Sequence, residues 1–299
     1  MKQTPGFTLP HLPLSILLLI TGVSFAPHAH SAASDIQIGI GVQHDDNVTR
    51  TMNDGNKISE QLLSLSISQP FVIPMTEHTR TIFSGGLDVE QHLDLDKLSN
   101  VSGRFQGEVQ YRGSAEFGTP TYALFAKAAL VEYQSKQRDG LEYSAGISIR
   151  KTFTDRINSY GAIFHHERDS QHSVFKNKYD AVLVNFDYSL REMGTLYLGG
   201  EYRDGNMAIS APWWPWYSSA PADFTIDDAF SNSTYSYRVN GSTQILKLGY
   251  NLPVGSSGSM DFFWNMAEST ATYWINPGDP ATKGSYTTNQ YSIAYLFRF

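Results

Sequence analysis

The sequence of 299 residues predicts an all-β fold, an antiparallel transmembrane β-barrel of about 12 strands, and three observations carry that prediction. Apolar and polar residues alternate with period two through most of the chain. Many alternating runs reach 12 to 15 residues, and the links between them are long and short in turn. Period two sends successive side chains to opposite faces of a strand. Runs of this length exceed the five or six residues usual in soluble sheets and suit a tilted strand crossing a bilayer.

The chain opens with a different pattern. Lys2 is the only charged residue before position 34, "LPLSILLLITGVSF" (12–25) is apolar, and "HSAASD" offers small residues for cleavage after Ala33. This reads as a signal peptide over 1–33, leaving 34–299 as the barrel. No later run of 18 apolar residues exists to form a membrane helix.

The first strand, "DIQIGIGVQ", sets Ile36, Ile38, Ile40 and Val42 against Gln37, Gly39, Gly41 and Gln43. "LLSLSISQ" sets Leu63, Leu65 and Ile67 against serines. "VSGRFQGEVQYR" alternates most cleanly, with Val101, Phe105, Val109 and Tyr111 opposite Arg104, Glu108 and Arg112. In all, the segments fall near 35–44, 59–69, 79–92, 100–113, 120–134, 141–153, 157–168, 178–190, 194–206, 238–251, 258–272 and 285–299. Lys127 and Ile163 blur the faces of the fifth and seventh.

Odd-numbered links are mostly long and polar, as in 44–59, 169–178, 207–237 and 273–284, whereas "TDR" (154–156) and "REMG" (191–194) are tight. An even strand count places both termini at the short-turn rim, which would be periplasmic. A soluble β-sandwich would also alternate, but it seldom sustains so many long strands.

The last nine residues, "YSIAYLFRF", carry Tyr291, Ile293, Tyr295, Phe297 and Phe299 on one face and Arg298 on the other. Such a terminus invites aggregation in water but suits a strand that faces hydrocarbon and pairs with the first strand. Here the chain resembles the outer-membrane β-barrel proteins of Gram-negative bacteria, the porin-like superfamily. Their C-terminal insertion signal is matched by Ser292, Phe297 and Phe299, with Ala294 where glycine is usual. The resemblance implies recognition by the barrel-assembly machinery and contact with outer-membrane lipid and lipopolysaccharide. "GVQHDDNVTR" (41–50) is also similar to the opening of barrels associated with exopolysaccharide export and with surface-lipoprotein assembly.

The face opposite the apolar one carries Asp88, Glu90, Arg104, Glu108, Arg112, Glu142, Arg150, Asp187, Glu201, Arg203, Lys247, Asp261 and Arg298. With the signs nearly balanced, this reads as a polar lumen without strong ion selectivity. Five histidines lie toward the long-loop rim. Among them, His44, His165 and His166, with Asp45 and Glu167, form the candidate catalytic set of an alternative reading, because imidazole titrates near neutral pH. His165 and His166 are adjacent, so they point oppositely and no metal site is expected. Trp213, Trp214, Trp216 and Tyr217, separated by prolines, mark a rigid outer loop suited to a lipid-headgroup girdle or to stacking on sugar rings.

The absence of cysteine excludes disulfides and thiol chemistry, and a net charge of −7 with no basic cluster argues against nucleic acid. No cofactor is expected. The leading expectation is a non-enzymatic porin-like channel or structural surface protein, whose solute would be small and polar or a saccharide. The alternatives are a hydrolase of lipid A, phospholipid or a surface substrate, and an accessory channel for polysaccharide export.

Overall fold

In the computed structural model, residues 35–212, 223–230, 234–273 and 282–299 are described. The signal segment 1–33 and the aromatic group Trp213, Trp214, Trp216 and Tyr217 lie outside them. The strands are β1 (Gln37–Asp45), β2 (Glu60–Pro74), β3 (Thr79–His92), β4 (Asn100–Arg112), β5 (Thr121–Tyr133), β6 (Gly140–Thr152) and β7 (Ile157–Ser170). They continue as β8 (Asn177–Ser189), β9 (Thr195–Pro212), β10 (Phe224–Ile226), β11 (Thr234–Val254), β12 (Gly258–Tyr273) and β13 (Thr282–Arg298).

Twelve of these form one closed antiparallel barrel, each paired to its neighbours in sequence, with β9 joined to β11 and β13 to β1. The closing seam runs from Gln37 opposite Arg298 to Asp45 opposite Gln290. Closure leaves no edge, so every strand meets a partner on both sides within the hydrocarbon, where water cannot substitute. Twelve strands spaced about 4.8 Å apart and tilted about 40° imply a backbone diameter of about 24 Å.

The outward face settles which solvent surrounds the barrel. Ile40, Leu124, Ile147 and Ile163 are 55%, 63%, 56% and 58% exposed, and every strand from β1 to β9 contributes at least one exposed large apolar side chain to the same surface. A belt of this extent far exceeds the apolar patch that a soluble monomer shows to water. Only lipid accepts it.

The first described residues and the C-terminal Phe299 meet at the short-turn rim, where the Phe299 amide donates to the Ile36 carbonyl at 3.0 Å. Most of the turns there are tight, and Gly194 and Gly255 adopt φ values of 109° and 67° that favour glycine. On the inward side, Gly249 leaves room for the Tyr197 ring to lie across β11, with the Tyr197 hydroxyl donating to Asp261 Oδ2 at 2.8 Å. A Cβ at 249 would collide with that ring. Gly249→Ala is therefore expected to destabilise the barrel by about 1–3 kcal/mol, read as a lower urea midpoint for the protein refolded into lipid vesicles.

Two features depart from the sequence reading. The link expected over 207–237 is shortened by strand at both ends, because β9 runs on to Pro212 and β11 begins at Thr234. Pro212 is tolerated because it is the last residue of β9, beyond the last β8 pairing at Gly205. The second feature is β10, which pairs with Tyr235–Tyr237 of β11 above the level where β12 ends.

Candidate functional site

The lumen is built by strand parity. The registers that align Ser66, Asp88 and Ser102 across β2, β3 and β4 put the even positions of these strands inside, opposite exposed Leu87. Carried around the barrel, the same rule brings Asp88, Glu90, Arg104, Glu108, Arg112, Glu142, Arg150, Asp187, Glu201, Arg203, Lys247, Asp261 and Arg298 to the inner face.

Within the barrel, many of these charges neutralise each other. Arg104 contacts Asp88 at 3.0 Å, and Arg168 contacts Glu142 at 3.3 Å. Glu201 receives Arg203 at 2.6 Å and Lys247 at 2.7 Å. Glu90 accepts from the Asn100 amide at 3.1 Å, and Glu108 from Gln110 at 2.5 Å. Isolated charges in a protein-walled lumen would be costly, and pairing removes most of that cost.

The lumen is not uniformly polar. Phe125, Ala162 and Leu183 form a buried apolar cluster, with Tyr160 and Phe164 against it. The cluster spans β5, β7 and β8, and β5 and β7 are the two strands whose alternation is least clean in the sequence. Lys127 points to the same interior and keeps an exposed side chain, so space remains at its level.

The long-loop rim is covered. The segment 227–230 turns inward, and Ala229 and Phe230 pack on Leu98, with Val48, Ile58 and Leu95 against them. Leu95 and Leu98 belong to the β3–β4 loop, which stands across the barrel from the β9–β11 connection. The contact therefore spans the mouth. Fully buried Asp227 holds Arg138 of the β5–β6 loop at 2.6 Å, and Ser135 donates to Asp228 at 2.5 Å. The Arg138 guanidinium also lies 4.0 Å from the centre of the Phe175 ring.

The β1–β2 loop completes this cover. Arg50 adopts φ 53°, uncommon for a residue with a side chain. That turn returns its guanidinium to Asp45, at 2.9 and 2.6 Å, and to Thr288 at 3.2 Å. Burial alone lowers the Arg50 pKa, and the neighbouring Asp45 carboxylate reverses this and raises it. Asn47 ties the same loop to the Thr51 and Thr287 carbonyls.

The candidate catalytic set does not converge. His44 lies outside, stacked near Tyr291, while Asp45 points inward to Arg50. His165 and Glu167 are on the outer face, where His165 Nδ1 lies 2.7 Å from Asp180. His166 is inside, 2.9 Å from the Ser144 hydroxyl and stacked on Tyr179. The period-two backbone splits the set between lumen and exterior. No group of three or more His, Asp or Glu side chains able to hold a metal occurs among the described residues.

At the short-turn rim the lumen opens into a cavity of about 470 Å³ between β3 and β8. Arg80, Arg112 and Arg150 line it, together with Gln110, Tyr160 and Asp187. Arg80 is absent from the sequence reading, although the parity set by Asp88 and Glu90 reaches it; Ile82, an apolar residue on the inner face, masks the alternation there.

A closed twelve-stranded barrel with an apolar belt, a polar lumen and long loops on one rim defines an outer-membrane β-barrel. Among solved structures the chain is similar to an outer-membrane channel from Pseudomonas putida F1, at 12% identity, over 91% of this chain and 99% of that one, with a TM-score of 0.52. It is also similar to the KdgM porin in complex with disordered oligogalacturonate, at 11% identity over 88% and 99% of the two chains, with a TM-score of 0.44. No protein-family model matches the chain, and no curated protein matches its sequence.

Proposed function

We propose that the protein is a porin-like channel of the Gram-negative outer membrane, with a polar lumen open at the short-turn rim and covered by its long loops. The observation that carries this reading is the inner face of the closed barrel, where the thirteen charged positions read from the sequence, joined by Arg80, Lys127 and Arg168, line a lumen that widens into a cavity at one mouth. A barrel serving only as a surface anchor has no need for solvent space around Lys127 or for a cavity floored by guanidinium groups. The solute is small and polar, a saccharide included; passage of a polysaccharide chain rests on the likeness of residues 41–50 alone.

The remaining assignments follow from the sequence. Residues 1–33 direct export and are removed, and the short turns and both termini face the periplasm. Ser292, Ala294, Phe297 and Phe299 are presented to the barrel-assembly machinery, and the apolar belt meets outer-membrane lipid and lipopolysaccharide. In support, Tyr291 and Ile293 are exposed on the outside of the closing strand, and Phe297 stacks on Phe299.

Purified protein refolded from residues 34–299 and added to a planar lipid bilayer is expected to give discrete conductance steps. Silence over many insertions, both of this protein and of a variant with its loop cover loosened, overturns the channel reading.

A further inference from the structure

The geometry points to a binding site for a small oxyanion, a phosphate or carboxylate group, in the cavity at the short-turn rim. It deepens the channel reading of the same lumen. Its basis is a contrast in how cations are treated along the barrel.

Elsewhere in the interior and the loop cover, guanidinium groups sit against carboxylates. Arg50, Arg104, Arg138, Arg168 and Arg203 all do so within 3.3 Å. Arg80, Arg112 and Arg150 break that pattern. Among the described residues none of the three has a carboxylate oxygen within ion-pair distance. Instead Arg80 Nε donates to the Gln110 amide oxygen at 2.7 Å, Arg112 to the Glu116 carbonyl at 2.9 Å, and Arg150 lies 5.5 Å from the centre of the Tyr160 ring. These neutral contacts position the guanidinium groups without discharging them.

All three groups line one cavity of about 470 Å³, large enough for a small solute. They come from β3, β4 and β6, so they approach the space from three strands rather than lying along one. Two acids share the lining, Glu77 and Asp187. Glu77 stands exposed in the β2–β3 turn, where water screens it. That leaves Asp187 as the one partly buried acid in the lining, with Glu108 set behind Gln110, which donates to it at 2.5 Å, so that three guanidinium groups face two partly buried acids. Each guanidinium offers a planar fork of N–H donors that matches two oxygens of a carboxylate or phosphate, which a lysine cannot do. The walls add a neutral donor, the Tyr160 hydroxyl, that suits a remaining oxygen.

The test is an equilibrium one, so its failure is distinct from failure of the channel reading: a barrel that never conducts can still bind, and a conducting one can fail to bind. Refolded residues 34–299 in a neutral detergent at low salt are titrated calorimetrically with inorganic phosphate, and with glucose as an uncharged probe. Saturable phosphate binding is expected, with none for glucose. The Arg80→Gln/Arg150→Gln double variant is expected to weaken it at least tenfold, while Lys127→Gln, inside the lumen but outside this cavity, leaves it within twofold. Should the double variant not refold, Arg112→Gln at the exposed end of β4 is expected to weaken binding several-fold. Absent phosphate saturation, equal binding of glucose, or affinity indifferent to the arginine substitutions would overturn the site.

Discussion

Asp227→Ala is expected to raise single-channel conductance several-fold and to make the segment near 227 sensitive to added protease. Asp227 has no exposed surface and holds the Arg138 guanidinium at 2.6 Å, while its other oxygen accepts from the Ala229 amide at 3.1 Å. It also accepts a very short hydrogen bond from Ser236 on β11. One carboxylate thus joins the β5–β6 loop, the inward turn and the wall of the barrel. Removing it leaves Arg138 largely buried without its counter-ion, a loss of about 3–5 kcal/mol. At about 1.4 kcal/mol per factor of ten, that shifts the covered-to-uncovered balance by at least a hundredfold.

Ala229 and Phe230 still pack on Leu98, and Ser135 still donates to Asp228, but neither contact supplies the counter-ion that Arg138 loses. Lys97→Gln is the informative control, since Lys97 is exposed and reaches Asp228 only at 4.0 Å. It is expected to change neither readout. Unchanged conductance in Asp227→Ala, with protease sensitivity increased, would mean that the constriction lies deeper in the lumen.

What the sequence disclosed and what it concealed divide along a physical line. Strand identity, parity and the two rims depend on local alternation, so β4 and β6 are readable directly from "VSGRFQGEVQYR" and "LEYSAGISIR". The inner positions of the charges follow from the same count. Concealed were the events set by contact across the barrel. Nothing in "DFTIDDAF" says that Asp227 meets Arg138, 89 residues earlier, because both are polar loop residues until the barrel closes. The apolar pair Phe125 and Leu183 is hidden differently, since an inward apolar residue reads as an interrupted pattern. His165 and His166 show the limit of composition: they are adjacent in sequence, yet one faces Asp180 outside and the other Ser144 inside.

Glu201→Gln is expected to destabilise the barrel wall itself, and its comparison with Lys247→Met separates burial from pairing. Glu201 is almost wholly buried and serves two cations, Arg203 at 2.6 Å and Lys247 at 2.7 Å. Neutralising it leaves two positive groups close together in the lumen wall, where desolvation is not recovered. The expected cost is about 3–5 kcal/mol, read as a lower urea midpoint in vesicles. Lys247→Met removes one cation but keeps the Glu201–Arg203 pair, and a methionine fills similar space beside Gly199 and Asn265. Its expected cost is about 1 kcal/mol or less, because replacing a buried charge by a matched apolar group is often neutral. Equal losses in the two variants would mean that Lys247 contributes through its own packing rather than through Glu201. The double variant, Glu201→Gln with Lys247→Met, then leaves Arg203 alone and is expected to recover part of the single-variant loss, since the mutual repulsion of two cations is gone.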